Sequence, residues 1–123
     1  MLLDNFFEIS EINRVENNKL SVSTLLNPSH QIFEGHFPGN PIVPGVCLTH
    51  MITEILSGYF KKQLLLGTAD QIKFLAIVNP NENKVLNFLI SLGSDLDAEI
   101  KADVVISYEE KVFMKFKGAF VQF

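Results

Sequence analysis

Leu20, Val22, Thr24 and Leu26 follow one another at a period of two, and an apolar-rich run from Phe6 to Val15 precedes them across Asn17-Asn18. That pattern predicts two strands joined by an Asn turn, a hairpin. Leu48, Met51, Ile52, Ile55, Leu56 and Tyr59 instead recur at helical spacing. Pro44 stands near the start of this segment, Gly58 near its end, and Lys61-Lys62 where a helix dipole favours cations. One dominant helix of about 25 Å follows, at 1.5 Å per residue. Strand-like patterning returns over Gln71–Val78, Val85–Leu92, Ile100–Tyr108 and Val112–Phe123, punctuated by Asn79-Pro80-Asn81, a polar break from Gly93 to Asp97, and Glu109-Glu110-Lys111.

Between hairpin and helix, Asn27 to Gly45 holds four of the five prolines and three of the seven glycines. The expectation there is a shaped loop without regular structure. The whole order is two strands, a long Pro/Gly loop, one helix and about four strands, an α+β pattern. A lone apolar helix in a 123-residue chain is buried only if one antiparallel sheet covers it, so residues 1–123 read as a single domain.

Composition narrows the function classes. Ten basic residues against 14 acidic ones give a net charge of −4 with no basic block, which argues against a nucleic-acid face. The longest apolar run, Phe74 to Val78, is far too short to span a bilayer, and the first residues lack the charge and apolar core of a secretory signal. A cytoplasmic location is the default, in keeping with a single cysteine, Cys47. Eleven Phe with no Trp suggest wholly apolar rings that suit a greasy ligand as well as a core.

All three histidines, His30, His36 and His50, fall within 21 residues. His36 is flanked by Gly35 and by Phe37-Pro38-Gly39, a setting that can hold an imidazole in a fixed orientation as a base, or simply pack it in a loop. His50 projects opposite the apolar stripe with Thr53, Glu54, Ser57 and Cys47, which describes either a solvated face or a functional one. Cys47, His50 and Glu54 at i, i+3 and i+7 form a conceivable nucleophile set, and three histidines a conceivable zinc site, although no metal-ligand spacing supports the latter. Gly45 and Val46 supply the first unpartnered amides of the helix, suited to a carbonyl oxygen gaining negative charge.

The stretch from His30 to Val46, with His36-Phe37-Pro38-Gly39, Pro41 and then Pro44-Gly45-Val46 at fixed offsets, resembles the signature loop of the small bacterial 3-hydroxyacyl-acyl-carrier-protein dehydratases of hotdog fold. Gln71-Ile72-Lys73-Phe74 and Val78-Asn79-Pro80 look like that family's third strand and the bend after it. The resemblance implies a curved sheet around a central helix, and a dimer with two active sites at its interface. It implies that His36 removes the α-proton of a 3-hydroxyacyl thioester, that Gly45 donates to the oxyanion, and that Phe37, Pro38, Gly39 and Pro44 shape the substrate loop. It further implies a carrier-protein partner with a phosphopantetheine-linked acyl chain, an apolar tunnel lined by some of the Phe residues, and neither metal nor organic cofactor.

One position departs from the family. The helix carboxylate that helps expel the hydroxyl, contributed there by the partner subunit, falls on His50, with Glu54 one turn further on where relatives often carry Gln. A protonated imidazole can donate to a leaving hydroxyl, and Glu54 can hold it charged or act as the acid. The same departure motivates a second expectation, an acyl-binding or half-catalytic subunit that needs a heterodimeric relative. Thioester hydrolysis with Glu54 as the helix carboxylate is a third. Lys61, Lys62, Lys73 and Arg14 are the candidate contacts for an acidic carrier protein.

Overall fold

The computed structural model describes residues 5–35, 41–93 and 99–123. The strands are β1 (Phe7–Glu16), β2 (Lys19–Leu26), β3 (Leu64–Phe74), β4 (Val85–Leu92), β5 (Glu99–Tyr108) and β6 (Lys111–Gln122). Two helices, α1 (Ile32–Gly35) and α2 (Gly45–Phe60), lie between β2 and β3. One antiparallel sheet takes the order β1-β2-β4-β5-β6-β3.

Alternation decides which face of this sheet meets α2. The register places Val22 opposite Phe88, Phe88 opposite Ile106 and Val104 opposite Phe116, so one continuous apolar layer faces the helix. Met51, Ile52, Ile55 and Leu56 of α2 are fully buried against it together with Leu20, Leu86, Ile90 and Phe120. The expectation of one sheet over one helix therefore holds.

Three boundaries differ from the sequence reading. A short helical turn, α1, interrupts the expected loop: Ile32 N–H donates to His30 Nδ1 at 3.0 Å, and Phe33 is buried against the Phe6 ring. Strand β3 begins at Leu64 rather than Gln71 and ends at Phe74 rather than Val78. It is an edge strand with register shifts at Leu66/Thr68 and Ala69/Gln71, and these bulges leave Leu64–Ala69 without the two-residue period that marks a strand, whereas the apolar run Phe74–Val78 lies mostly beyond its end. Helix α2 closes at Lys61, a non-glycine in the left-handed region (φ 55°), whose N–H and that of Lys62 both reach the Ser57 carbonyl. Gly58 is consequently inside the helix.

Candidate functional site

Pro44 starts the site. Its fixed φ of −61° with ψ of 145° delivers the chain into α2 in extended conformation, and its carbonyl accepts from Cys47 and Leu48 N–H. The Gly45 and Val46 amides precede the first intrahelical bond, and no described residue accepts from them. They stand at the positive end of a 16-residue helix. Glycine at 45 permits a close approach: a Cβ on it would lie 2.5 Å from Phe74 Cζ, so the Phe74 ring rests directly on the helix start.

One and a half turns on, His50 projects from the face of α2 opposite the core, and Glu54 follows one turn later. Their side chains are 33% and 17% exposed, and His50 Nε2 lies 3.9 Å from Glu54 Oε2. That separation is an ion-pair contact when the imidazole is protonated, and too long for a good hydrogen bond. His50 Nε2 itself is buried and has no hydrogen-bond partner among the described residues. Both side chains line a cleft of about 780 Å³, with Val46, Thr49, Thr53 and Ser57 on the helix side and Leu64–Leu66 and Phe123 walling its far end.

The threonines contribute less polarity than their type suggests. Thr49 Oγ1 donates to the Val46 carbonyl at 2.9 Å and Thr53 Oγ1 to the Thr49 carbonyl at 3.4 Å, so each hydroxyl is spent on its own helix. Ser57 Oγ accepts the Leu64 N–H at 3.3 Å and ties the end of α2 to β3. Leu65 and Leu66 are exposed large hydrophobics on that wall.

Gly45, Val46, His50 and Glu54 are brought onto one helix beside one cleft, with Pro44 as the N-cap. His36, Phe37, Pro38 and Gly39 lie outside the described residues. Cys47 does not join His50 and Glu54: it is buried in the core, and burial pushes its thiol above the ordinary value. It is a small apolar side chain here rather than a nucleophile. Among the described Phe residues, Phe123 alone lines the cleft, and Phe6, Phe33, Phe88, Phe113, Phe116 and Phe120 are buried in the core. The four candidate cations are dispersed: Lys61 and Lys62 close α2, whereas Lys73 and Arg14 sit on β3 and β1 at opposite edges of the sheet. His30 lines a separate hollow with Pro28 and Phe33. No group of three metal-ligating side chains converges among the described residues, and no described helix is long and apolar enough to cross a membrane.

The residues missed by sequence reasoning are Phe74 and the Leu64–Leu66 wall. Phe74 is 57% exposed, and its neighbours Leu75 and Ile77 are exposed as well. An apolar run that stays in solvent was the available signal, and it read as a strand core instead.

A curved antiparallel sheet around one long helix, with a helix start and a polar pair beside a cleft, defines a hotdog protein. The structure superposes on the ApeI:P dehydratase heterocomplex of Xenorhabdus doucetiae with a TM-score of 0.72, at 15% identity, covering 94% of this chain and 97% of that one. It also superposes on a Streptococcus pneumoniae hypothetical thioesterase with coenzyme A, TM-score 0.66 at 16% identity, covering 98% and 90%. In sequence the chain is 26% identical over 121 residues to the 3-hydroxyacyl-[acyl-carrier-protein] dehydratase FabZ of Lactobacillus helveticus, covering 93% of this chain and 79% of the relative. The FabZ of Thermoanaerobacter sp. is 31% identical over 93 residues, covering 69% and 66%. Residues 12–113 match the family model for ApeI-like proteins, described as ApeI dehydratase. The chain belongs to the ApeI-like family of hotdog dehydratases.

Proposed function

We propose that the protein dehydrates 3-hydroxyacyl thioesters carried on acyl carrier protein to trans-2-enoyl thioesters, in fatty-acid or polyene-type lipid synthesis. The observation that carries this reading is the pairing of His50 with Glu54 on the face of α2 that also starts with the free Gly45 amide. His36, at the family's base position, takes the proton from C2. The thioester oxygen gains charge against the Gly45 N–H, with Val46 beside it. The C3–O bond then breaks, and the departing hydroxide receives a proton from the His50 imidazole, beside the Glu54 side chain one turn away. Water leaves and the C2–C3 double bond remains.

The site is read as shared between two protomers, His36 from one and the His50–Glu54 pair from the other. Support comes from β3: as an edge strand it leaves Leu65, Leu66, Ile72 and Phe74 exposed, an unpaired ladder with an apolar flank. A homodimer, or a higher oligomer of such dimers, buries that edge.

A second reading is favoured by the likeness to a dehydratase heterocomplex together with the histidine at the carboxylate position. In it the chain is the acyl-binding or half-catalytic member of a heterodimer. Hydrolysis through Glu54 ranks lower, since the thioesterase likeness is one of fold. The deciding experiment is mass spectrometry of a 3-hydroxyacyl-carrier-protein panel incubated with the protein and with His36→Ala. Loss of one water with the native chain alone supports the dehydratase. No loss until a relative with an intact helix carboxylate is added supports the heterodimer, and release of free acid supports the hydrolase.

A further inference from the structure

Gly58 has no structural reason to be glycine in the described protein. It lies within α2, not at its left-handed cap, and a Cβ there would meet no atom of the described residues within 4 Å. Glycine is the poorest helix former after proline, so a position with open space and helical backbone favours almost any other residue. The space above Gly58 is the far part of the cleft that holds His50 and Glu54. Between the two ends of that cleft, the hydroxyls of Thr49 and Thr53 are turned back onto helix carbonyls, and Leu66 and Phe123 form the opposing wall. Beyond the His50–Glu54 pair the lining is mixed: Leu64, Leu65, Leu66 and Phe123 supply apolar surface, and Ser57, Lys62 and Gln63 supply polar groups beside Gly58.

We propose that Gly58 is a specificity-determining residue, left without a side chain so that the acyl chain of the substrate passes over it. This rests on the dehydratase reading and extends it to chain length. Gly58 is two turns and a little more beyond His50, about 12 Å along the helix axis at 1.5 Å per residue. An extended alkyl chain advances about 1.3 Å per carbon, so a substrate with C3 beside His50 reaches Gly58 with roughly nine further carbons, an acyl group of about twelve. Short acyl groups stop before it and are indifferent to what stands there.

The test is binding, which does not require turnover. A ladder of saturated acyl-pantetheine thioesters is titrated calorimetrically into the full chain and into Gly58→Leu and Gly58→Ala. Native affinity is expected to rise about fourfold per methylene up to about twelve carbons and then level off. In Gly58→Leu the plateau comes several carbons earlier with short-chain affinity unchanged, and in Gly58→Ala, which any fold-competent chain tolerates, it comes about one carbon earlier. An identical ladder in both variants overturns the proposal. So does a change in oligomeric state of Gly58→Leu on gel filtration, which would mean that a second protein chain fills the slot. A ladder that breaks at Gly58 without any dehydration on carrier-protein substrates leaves this inference standing while removing the dehydratase reading.

Discussion

Replacing Gly45 by alanine tests the helix start without deleting its amide. The new methyl would sit 2.5 Å from Phe74 Cζ and 2.7 Å from Cε1, against a contact optimum of about 3.5–4.0 Å, so the ring must retreat by more than 1 Å. Phe74 is 57% exposed and can swing outward, which limits the cost to what its ring now shields. For a side chain of about 200 Å² with a little under half covered, that is about 85 Å², or roughly 2 kcal/mol as an upper bound. In a Phe74→Ala background the same methyl enters vacated space and costs close to nothing. A double-mutant cycle in urea is therefore expected to show a coupling of about 1–2 kcal/mol between the positions. Because alanine retains the N–H, kcat on a carrier-protein substrate should recover in the double variant relative to Gly45→Ala alone. Equal destabilisation by Gly45→Ala in both backgrounds would refute the reasoning, placing the need for glycine in the backbone and not in the ring.

His50→Ala is expected to lower kcat by about 10²–10⁴-fold as a lost general acid, with Glu54→Gln smaller and full activity of Glu54→Gln removing the carboxylate from the mechanism; steady-state kinetics on one thioester decides both. Phe88, fully buried between Val22 and Ile106, should cost about 3–5 kcal/mol as Phe88→Ala in chemical denaturation. Burial raises the Cys47 thiol above its ordinary value of 9.0, so the folded chain holds the proton longer than the unfolded one. The associated stability is intact below that pH and is lost as pH rises past it, a slope that Cys47→Ala should lack in urea melts at successive alkaline pH values. Gly58→Ala should stabilise the protein by about 0.4–1 kcal/mol, visible as a raised Tm.

Where one face of an element is buried and the other wet, the period of the sequence carries its place in the fold. Strand β4 has its predicted bounds, Val85–Leu92, because Leu86, Phe88 and Ile90 alternate with half-buried or exposed positions. Strand β3 loses that legibility. At the sheet edge only Leu64 of its eleven residues is buried, and two bulges shift the register, so its alternation has no core to report. The α1 turn is illegible for a different reason: it is held by local hydrogen bonds to the His30 Nδ1 and to the His30 and Gln31 carbonyls, and by Phe6 ring contacts with His30 and Phe33, none of which leaves a periodic trace.

The same distinction governs the site. A helix of fixed pitch leads from Gly45, so the position of His50 opposite the core follows from counting residues once the apolar stripe is known. Cys47 does not follow in that way. At 100° per residue it lies about 110° from the centre of the stripe, on the border between the two faces, and how far the sheet curls around α2 decides its side. Cys47 is buried with the core cluster, and the polar face is left to His50 and Glu54. Gly58 lies on the same border near the other end of α2, and there no described atom lies within 4 Å of the place a Cβ would take. What packs on each end of one helix thus settles which border residue becomes core and which is left facing the cleft, a tertiary property that a one-dimensional period does not encode.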